Sequence, residues 1–407
     1  MRNGSNVIKC RVKAGGYQQR WVKTTCLIIG LLALSNLSLG LQQLTGIPQT
    51  TVSLGCKAVI ALSFAACLPT FIYELPRKLI LIISVSVLFL IFNFAVFSDN
   101  SQFTSTAQTY LFTVLPLVSC VVMIHDKGLL VRPLFVTSIV ISFCVIAVCV
   151  TQGGQAFGEE YSMGFSSSLV LPVNMLLYYM FCKLRTTLHK AICAIVALLD
   201  VYVIVAYGSR GALLAILLFF CYLFIKIKPS SSSTLLFRLA LIGGAVGIVL
   251  SFDAIIDTAY QLSLQMGFNS RTLLLLHSDL THDSGRDILW RQIIQQLQID
   301  PVAIRGVNAD YNLIGIYSHN IFLELSYQFG IPLACIAVAF IGRCTFIDCS
   351  KEVSDDTVFG SLLLSGWFPI LLWSGSLWTN MFFWPWLLAI PRNGSSASEG
   401  RTLNEAD

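Results

Sequence analysis

Repeated apolar stretches, most of about 17–22 residues and divided by short polar segments, leave this chain few ways to fold. A bilayer core is about 30 Å thick, so each stretch can cross it as a helix. With 56% apolar and 12% charged residues and a mean hydropathy of +0.76, the composition excludes an ordinary water-soluble domain. Inside hydrocarbon each segment must bond its own backbone amides, so an all-α integral membrane protein is expected. Spans fall at roughly 24–44, 52–73, 79–97, 107–124, 133–151, 164–182, 191–208, 211–226, 235–252, 320–341, 358–374 and 377–391. That makes about 12 in a single polytopic domain over residues 1–407, with both termini cytoplasmic. Residues 358–391 admit either two short crossings or one span plus a re-entrant segment. Trp367, Trp373, Trp378, Trp384 and Trp386 there suit an interfacial belt.

Charge sorts the loops. Cytoplasmic loops carry the basic excess of a membrane protein, and 20 of the 26 Lys and Arg fall on one side of this topology. The N-terminal Arg2, Lys9, Arg11, Lys13, Arg20 and Lys23 have no acid among them, and no small-residue cleavage site follows, so an uncleaved first span is expected. The outer loops 45–51, 98–106 and 152–163 contain no Lys or Arg. Against that background Arg210, Arg271, Arg286, Arg291 and Arg305 collect on the outer side, at one tight turn and in the long segment 253–319, which His319 closes. Such a cationic cluster, contrary to the positive-inside bias, points to a site for a polyanion.

Other classes find less support. The net charge of +5 follows from the loop bias, and no basic, aromatic-interleaved face suggests nucleic acid. The 13 cysteines lie mostly inside apolar spans without a C-x-x-C pair or Cys/His ligand spacing, so neither disulfides nor a metal is expected. A transporter would be expected to carry repeats, broken mid-membrane helices and charges along a path. Here Asp200 is the main candidate for a path, either functional or a hydrogen-bonded helix contact, and Lys57 either snorkels or contributes to the site. Gly243 and Gly247 would permit close helix contact.

Three stretches carry the chemistry. Gly208-Ser209-Arg210-Gly211-Ala212 joins two apolar spans in a turn that lets a ligand approach Arg210 closely. Ser284-Gly285-Arg286-Asp287 resembles a capping box. It opens a helix of about 14 residues, with Leu289, Ile293 and Leu297 at spacing four and Trp290 and Ile294 broadening the stripe. This helix is expected to lie on the membrane face, its first-turn N–H groups and Arg286 forming an anion seat. Ser318-His319-Asn320-Ile321-Phe322-Leu323-Glu324 then brings an imidazole to the outer mouth of the next span, where it can take a proton from a sugar hydroxyl.

Tyr207 to Ala212, Ser284 to Asp287 with Trp290, and His319-Asn320 through Leu323-Glu324, Phe329-Gly330 and Pro332 resemble the O-antigen polymerase and ligase superfamily in order, spacing and sidedness over about residues 160–340. The resemblance implies a GT-C-like fold with 253–319 as an extracytoplasmic catalytic loop. It further implies a metal-independent glycosyltransferase, without cofactor, at the outer face of the bacterial cytoplasmic membrane. Its donor and acceptor would be undecaprenyl-pyrophosphate-linked oligosaccharides, with a chain-length regulator and a flippase as pathway partners. Arg210 and Arg286 match the arginines that hold the donor pyrophosphate, and His319 the histidine acting on the acceptor hydroxyl. Arg291, Arg305, Asn320 and Glu324 are candidate substrate contacts. Polymerase is favoured over ligase, on the span start Gly164 to Leu169 and the form His319 to Glu324; a lipid-linked oligosaccharide flippase is the competitor from another class. One departure stands out: the family often has Gly-x-Gly after the loop helix, and Gly306-Val307-Asn308 offers one glycine.

Overall fold

The computed structural model of the chain describes residues 3–71, 76–151, 163–207, 210–227, 252–265, 286–373 and 375–390, together with 274 and 277. The expected span 235–252, Gly243 and Gly247, the turn residues Gly208 and Ser209, Arg271, and Ser284-Gly285 of the capping box lie outside these residues, save Phe252. The described chain is all-helical, with no strand among the described residues.

In chain order the helices are α1 (Asn3–Asn36), α2 (Ser38–Thr45), α3 (Gln49–Phe71), α4 (Arg77–Val96), α5 (Phe103–Met123) and α6 (Val131–Thr151). There follow α7 (Met163–Ser168), α8 (Val170–Tyr178), α9 (Thr187–Tyr207), α10 (Arg210–Lys226) and α11 (Phe252–Gln265). After the segment around 274–285 come α12 (Arg286–Ile299), α13 (Ala309–Ile314), α14 (Ile321–Phe329), α15 (Ile331–Ser350), α16 (Asp355–Trp373) and α17 (Phe383–Ala389).

Among the described residues, 6 helices are long and apolar enough to cross a membrane: α3, α4, α5, α6 with the preceding turn, α9 and α15. They also look outward in the way a lipid-facing helix must. The α4 window has a mean hydropathy of 2.8 with only 22% of it buried. Leu81, Leu88, Ile91 and Phe92 stand exposed along it, apolar surface that water would not tolerate over such a length. The protein is therefore an α-helical membrane protein. Inside the bundle, Trp21, Ile28, Leu117, Phe359, Trp367 and Trp386 form one core. Ala33, Val145, Leu169, Ile204 and Ala215 form a second.

Two expected boundaries change. The apolar run 320–341 is not one span. It breaks at Gly330, whose φ of 78° ends α14, and Pro332 opens α15, which then crosses over Ile331–Ser350. A Cβ at Gly330 would stand 2.8 Å from the Val302 carbonyl oxygen, so only glycine fits this corner. Within 358–391, α16 has 19 residues but α17 only 7. At about 1.5 Å per residue, α17 is too short to cross on its own.

Hydrogen bonds and ion pairs divide the loops between the two ends of the bundle. At one end Gln18 Nε2 donates to the Met123 carbonyl (3.0 Å), Gly128 N to Asp356 Oδ1 (3.2 Å) and Lys226 Nζ to the Ser350 carbonyl (3.2 Å), while Lys183 pairs with Asp355 at 2.6 Å. At the other, Asn100 Nδ2 donates to the Val307 carbonyl (2.8 Å) and Asn308 Nδ2 to Thr106 Oγ1 (2.6 Å). The basic loops thus share one end, and the 98–106 loop shares the other with the segment that follows α12.

Candidate functional site

α12 is described over Arg286–Ile299 and stops where its apolar spacing and Asp300-Pro301 predict. Ile293 and Leu297 are buried, but against Ala309 of α13 and Tyr327 of α14, with Leu313, Ile314 and Leu323 around them. The stripe expected on the membrane is therefore spent on protein, because α13 and α14 offer a complementary apolar seat. Ile288, Ile294 and Ile299 are the apolar side chains α12 leaves exposed. Trp290 does more than broaden the stripe: its indole N–H donates to the Ser318 carbonyl at 2.8 Å. This bond fastens the helix that starts with Arg286 to the turn that carries His319.

That turn is held on both sides. Ser318 is fully buried; its N–H donates to Asp310 Oδ2 (2.9 Å) and its hydroxyl to the Asn320 carbonyl (3.1 Å). Asn320 Oδ1 in turn accepts the N–H groups of Phe322 (2.9 Å) and Leu323 (3.3 Å), capping α14. Between these anchors His319 is forced to a φ of 57°. A non-glycine residue there costs about 1–3 kcal/mol, a strain that collects at functional sites. Its ring lies 4.2 Å from that of Tyr317, and its Nδ1 is buried without a hydrogen-bond partner among the described residues. Burial, and then the positive charge of Arg286, push its pKa down to about 4. At neutral pH the imidazole is uncharged and keeps one nitrogen able to accept a proton. The electrostatic influence of Arg286 on it brings two of the three motifs together.

Behind the turn lies a buried polar chain that the sequence did not single out. Asp310, 1% exposed, accepts from Gln328 Nε2 at 3.0 Å, and Gln328 Oε1 accepts from the Trp378 indole at 2.7 Å. Burial raises the Asp310 pKa, offset in part by these donors. Nothing in a lone Asp-Tyr or Tyr-Gln pair announces such a chain; only the apolar surroundings of Gln328 hint that it needs partners.

The remaining candidates sit as follows. Glu324 is 1% exposed and accepts from Ser376 Oγ (2.7 Å) and Leu377 N (3.0 Å), so it ties α14 to the 376–382 turn. Arg305 donates to the carbonyls of Asp300 (2.9 Å), Tyr327 and Ala303 and lies over the Tyr327 ring at 4.7 Å. Arg291 is exposed and pairs with Asp287 on its own helix. These side chains and the Asn320 carbonyl-side oxygen are engaged by protein in this structure. Arg210 opens α10, and its side chain lies outside the described residues. Asp200 is buried within α9 and accepts from Ser142 Oγ at 2.6 Å.

Two left-handed positions follow α12 before α13. Gly306 has a φ of 81° and Asn308 one of 64°, so both positions adopt the left-handed conformation. Asparagine is the side chain that tolerates it best. At Gly306 a Cβ would meet the Phe97 ring at 2.5 Å. Among the described residues no group of three or more His, Cys, Asp or Glu is arranged to hold a metal ion. No protein-family model matches the chain, and no curated protein does.

Proposed function

We propose that the chain is an integral-membrane glycosyltransferase: a polymerase that joins polyprenyl-pyrophosphate-linked oligosaccharide units at the outer face of a bacterial cytoplasmic membrane. The observation that carries this reading is the Trp290–Ser318 bond, which fastens the helix bearing Arg286 to the strained turn that carries His319. An arginine in the first described turn of a helix, near the positive end of its dipole, favours a phosphate-rich anion. A neutral imidazole next to it suits the proton transfer that glycosyl transfer needs.

In this reaction the acceptor hydroxyl oxygen forms the new bond to the anomeric carbon of the donor sugar. The bond from that carbon to the diphosphate oxygen breaks, and the diphosphate leaves with the electron pair. His319 takes the hydroxyl proton, while Arg286, joined by Arg210 on the family resemblance, stabilises the charge gathering on the leaving group. Donor binding also prepares the base. Burial holds the imidazole pKa low and the field of Arg286 lowers it further; the negative diphosphate offsets that second contribution, so His319 becomes more basic when there is work to do. The lipid tail stays in the bilayer, and chain-length control and flipping fall to other proteins of the pathway.

The test is reconstitution of the full chain in vesicles, with donor and acceptor supplied on the outer leaflet. Polymer formation is expected. Movement of lipid-linked saccharide across the bilayer without product would replace the enzyme by a transporter. Transfer to a different acceptor, with no chain growth, would replace the polymerase by a ligase.

A further inference from the structure

A cavity with one cation and several hydroxyl groups on its wall lies among the spans. It has a volume of about 380 Å³ and is lined by Ser53, Lys57, Thr109, Thr113 and Thr379 among others. Ser53 and Lys57 lie one turn apart on α3 and so share a face. Thr109 and Thr113 repeat that spacing on α5. The turn between α16 and α17 closes the cavity with Ser376, Thr379 and Asn380.

The chemistry of this wall is specific. Lys57 sits eight residues into a membrane-spanning helix, about 12 Å from its start at 1.5 Å per residue. Among the described residues no carboxylate pairs with it. A lysine in that position faces a water-filled cavity or a substrate path, because an ammonium in hydrocarbon is costly. The hydroxyl of Ser53 accepts from Ser35 at 3.3 Å, which leaves its own proton to donate. Asn380 Oδ1 is occupied by the N–H groups of Phe382 and Phe383, both at 2.9 Å, so its amide donors are what it can offer a ligand. The wall thus combines one fixed cation with several hydroxyl and amide groups. That set fits a phosphate bearing a hydroxyl-rich headgroup, and the volume suits a small saccharide.

The cavity also touches the candidate site. Ser376, on its wall, donates to Glu324 Oε1 at 2.7 Å, and Glu324 belongs to the helix that Asn320 caps directly after His319. We propose that the Lys57 cavity is a second headgroup site, separate from the Arg286–His319 pair, that takes a phosphate-linked saccharide carried on a lipid. On the reading given above, which this inference rests on, a polymerase handles two such lipids at once. One is held by the arginines as donor and the other by Lys57 as acceptor.

Native mass spectrometry of the full-length protein in micelles counts bound undecaprenyl pyrophosphate carrying a short saccharide. The unaltered chain is expected to hold two. Lys57→Gln should weaken one of them about ten-fold or more, the effect of losing a charge-assisted bond, and Lys57→Arg should restore it. Thr379→Val should weaken the same one about three-fold or more, on the scale of a lost neutral hydrogen bond. Arg286→Gln should weaken the other. Two lipids bound with unchanged affinity in both Lys57→Gln and Thr379→Val would overturn the second site while leaving the Arg286 reading untouched. Loss through Lys57 alone, with Arg286→Gln silent, would uphold the cavity and defeat the donor assignment. Inorganic pyrophosphate is expected to compete weakly and phosphatidylglycerol hardly at all. Displacement by phosphatidylglycerol at equal concentration would overturn the saccharide assignment and leave a bulk lipid headgroup as the occupant.

Discussion

His319 is the residue at which conformation, burial and charge all bear on one ring. Its positive φ is imposed by Ser318 and Asn320, and its Nδ1 has no partner among the described residues. Replacing it by alanine should lower turnover about 10²–10⁴-fold and leave donor affinity intact, measured as lipid-linked donor retained by the purified variant. Arg286→Ala should lower the transfer rate about 10²–10³-fold, and Arg286→Lys should also be impaired, since a lysine cannot form paired contacts to phosphate oxygens. The pH profile carries a sharper prediction. The acid limb of kcat/KM, which reports the free protein, should fall near pH 4. The limb of kcat should lie at higher pH, because bound diphosphate counters Arg286; coincident limbs would remove the coupling. Stability follows the same sign. A histidine with its pKa lowered in the fold contributes nothing adverse above its ordinary 6.5, and costs stability as pH falls from there towards 4. At this scale the sequence shows which residue types are present but not what holds them. Asn320 and Glu324 read as candidate ligand-binding groups, and the structure adds that one caps α14 and the other is enclosed by Ser376 and Leu377. A capping asparagine and a ligand-binding one look the same in one dimension.

Elements were more legible where period and punctuation agree. The end of α12 could be read from Leu289, Ile293 and Leu297 and the Asp300-Pro301 stop, and the helix ends at Ile299. The corner at Gly330 was hidden, because apolar residues continue on both sides of it and a continuous run gives no sign of a change in direction. What reveals it is tertiary, namely the Val302 carbonyl packed where a Cβ would go. Gly330→Ala should therefore destabilise the protein by about 1–3 kcal/mol, seen as a lower Tm in detergent, and an unchanged Tm would remove that corner from the account. The joint between α12 and the His319 turn is a second test. Trp290→Phe keeps the apolar body and deletes the indole donor to Ser318, so transfer should drop about ten-fold, on the scale of one lost hydrogen bond. Unaltered activity would mean that the bond does not position the pair.

For the whole molecule, charge along the chain anticipated which loops meet. Gln18, Gly128, Lys183, Lys226 and Asp355 belong to the segments expected inside, and their bonds gather them at one end of the bundle. Asn100, Thr106 and Asn308 meet at the other. Span number was less readable. Composition suggests about 12 crossings, whereas 6 described helices meet the length and hydropathy of a span; α10 is shorter, α17 is a single short segment, and most of 235–252 lies outside the described residues. The account stands on the orientation of that bundle in the membrane. Single cysteines introduced at 183, 286, 319 and 351 in a cysteine-depleted chain, treated with a membrane-impermeant thiol reagent on intact cells, test it most directly. Positions 286 and 319 should label at once, and 183 and 351 only after permeabilisation. Labelling in the opposite pattern would put Arg286 and His319 in the cytosol and contradict a site for lipid-linked sugars on the outer face.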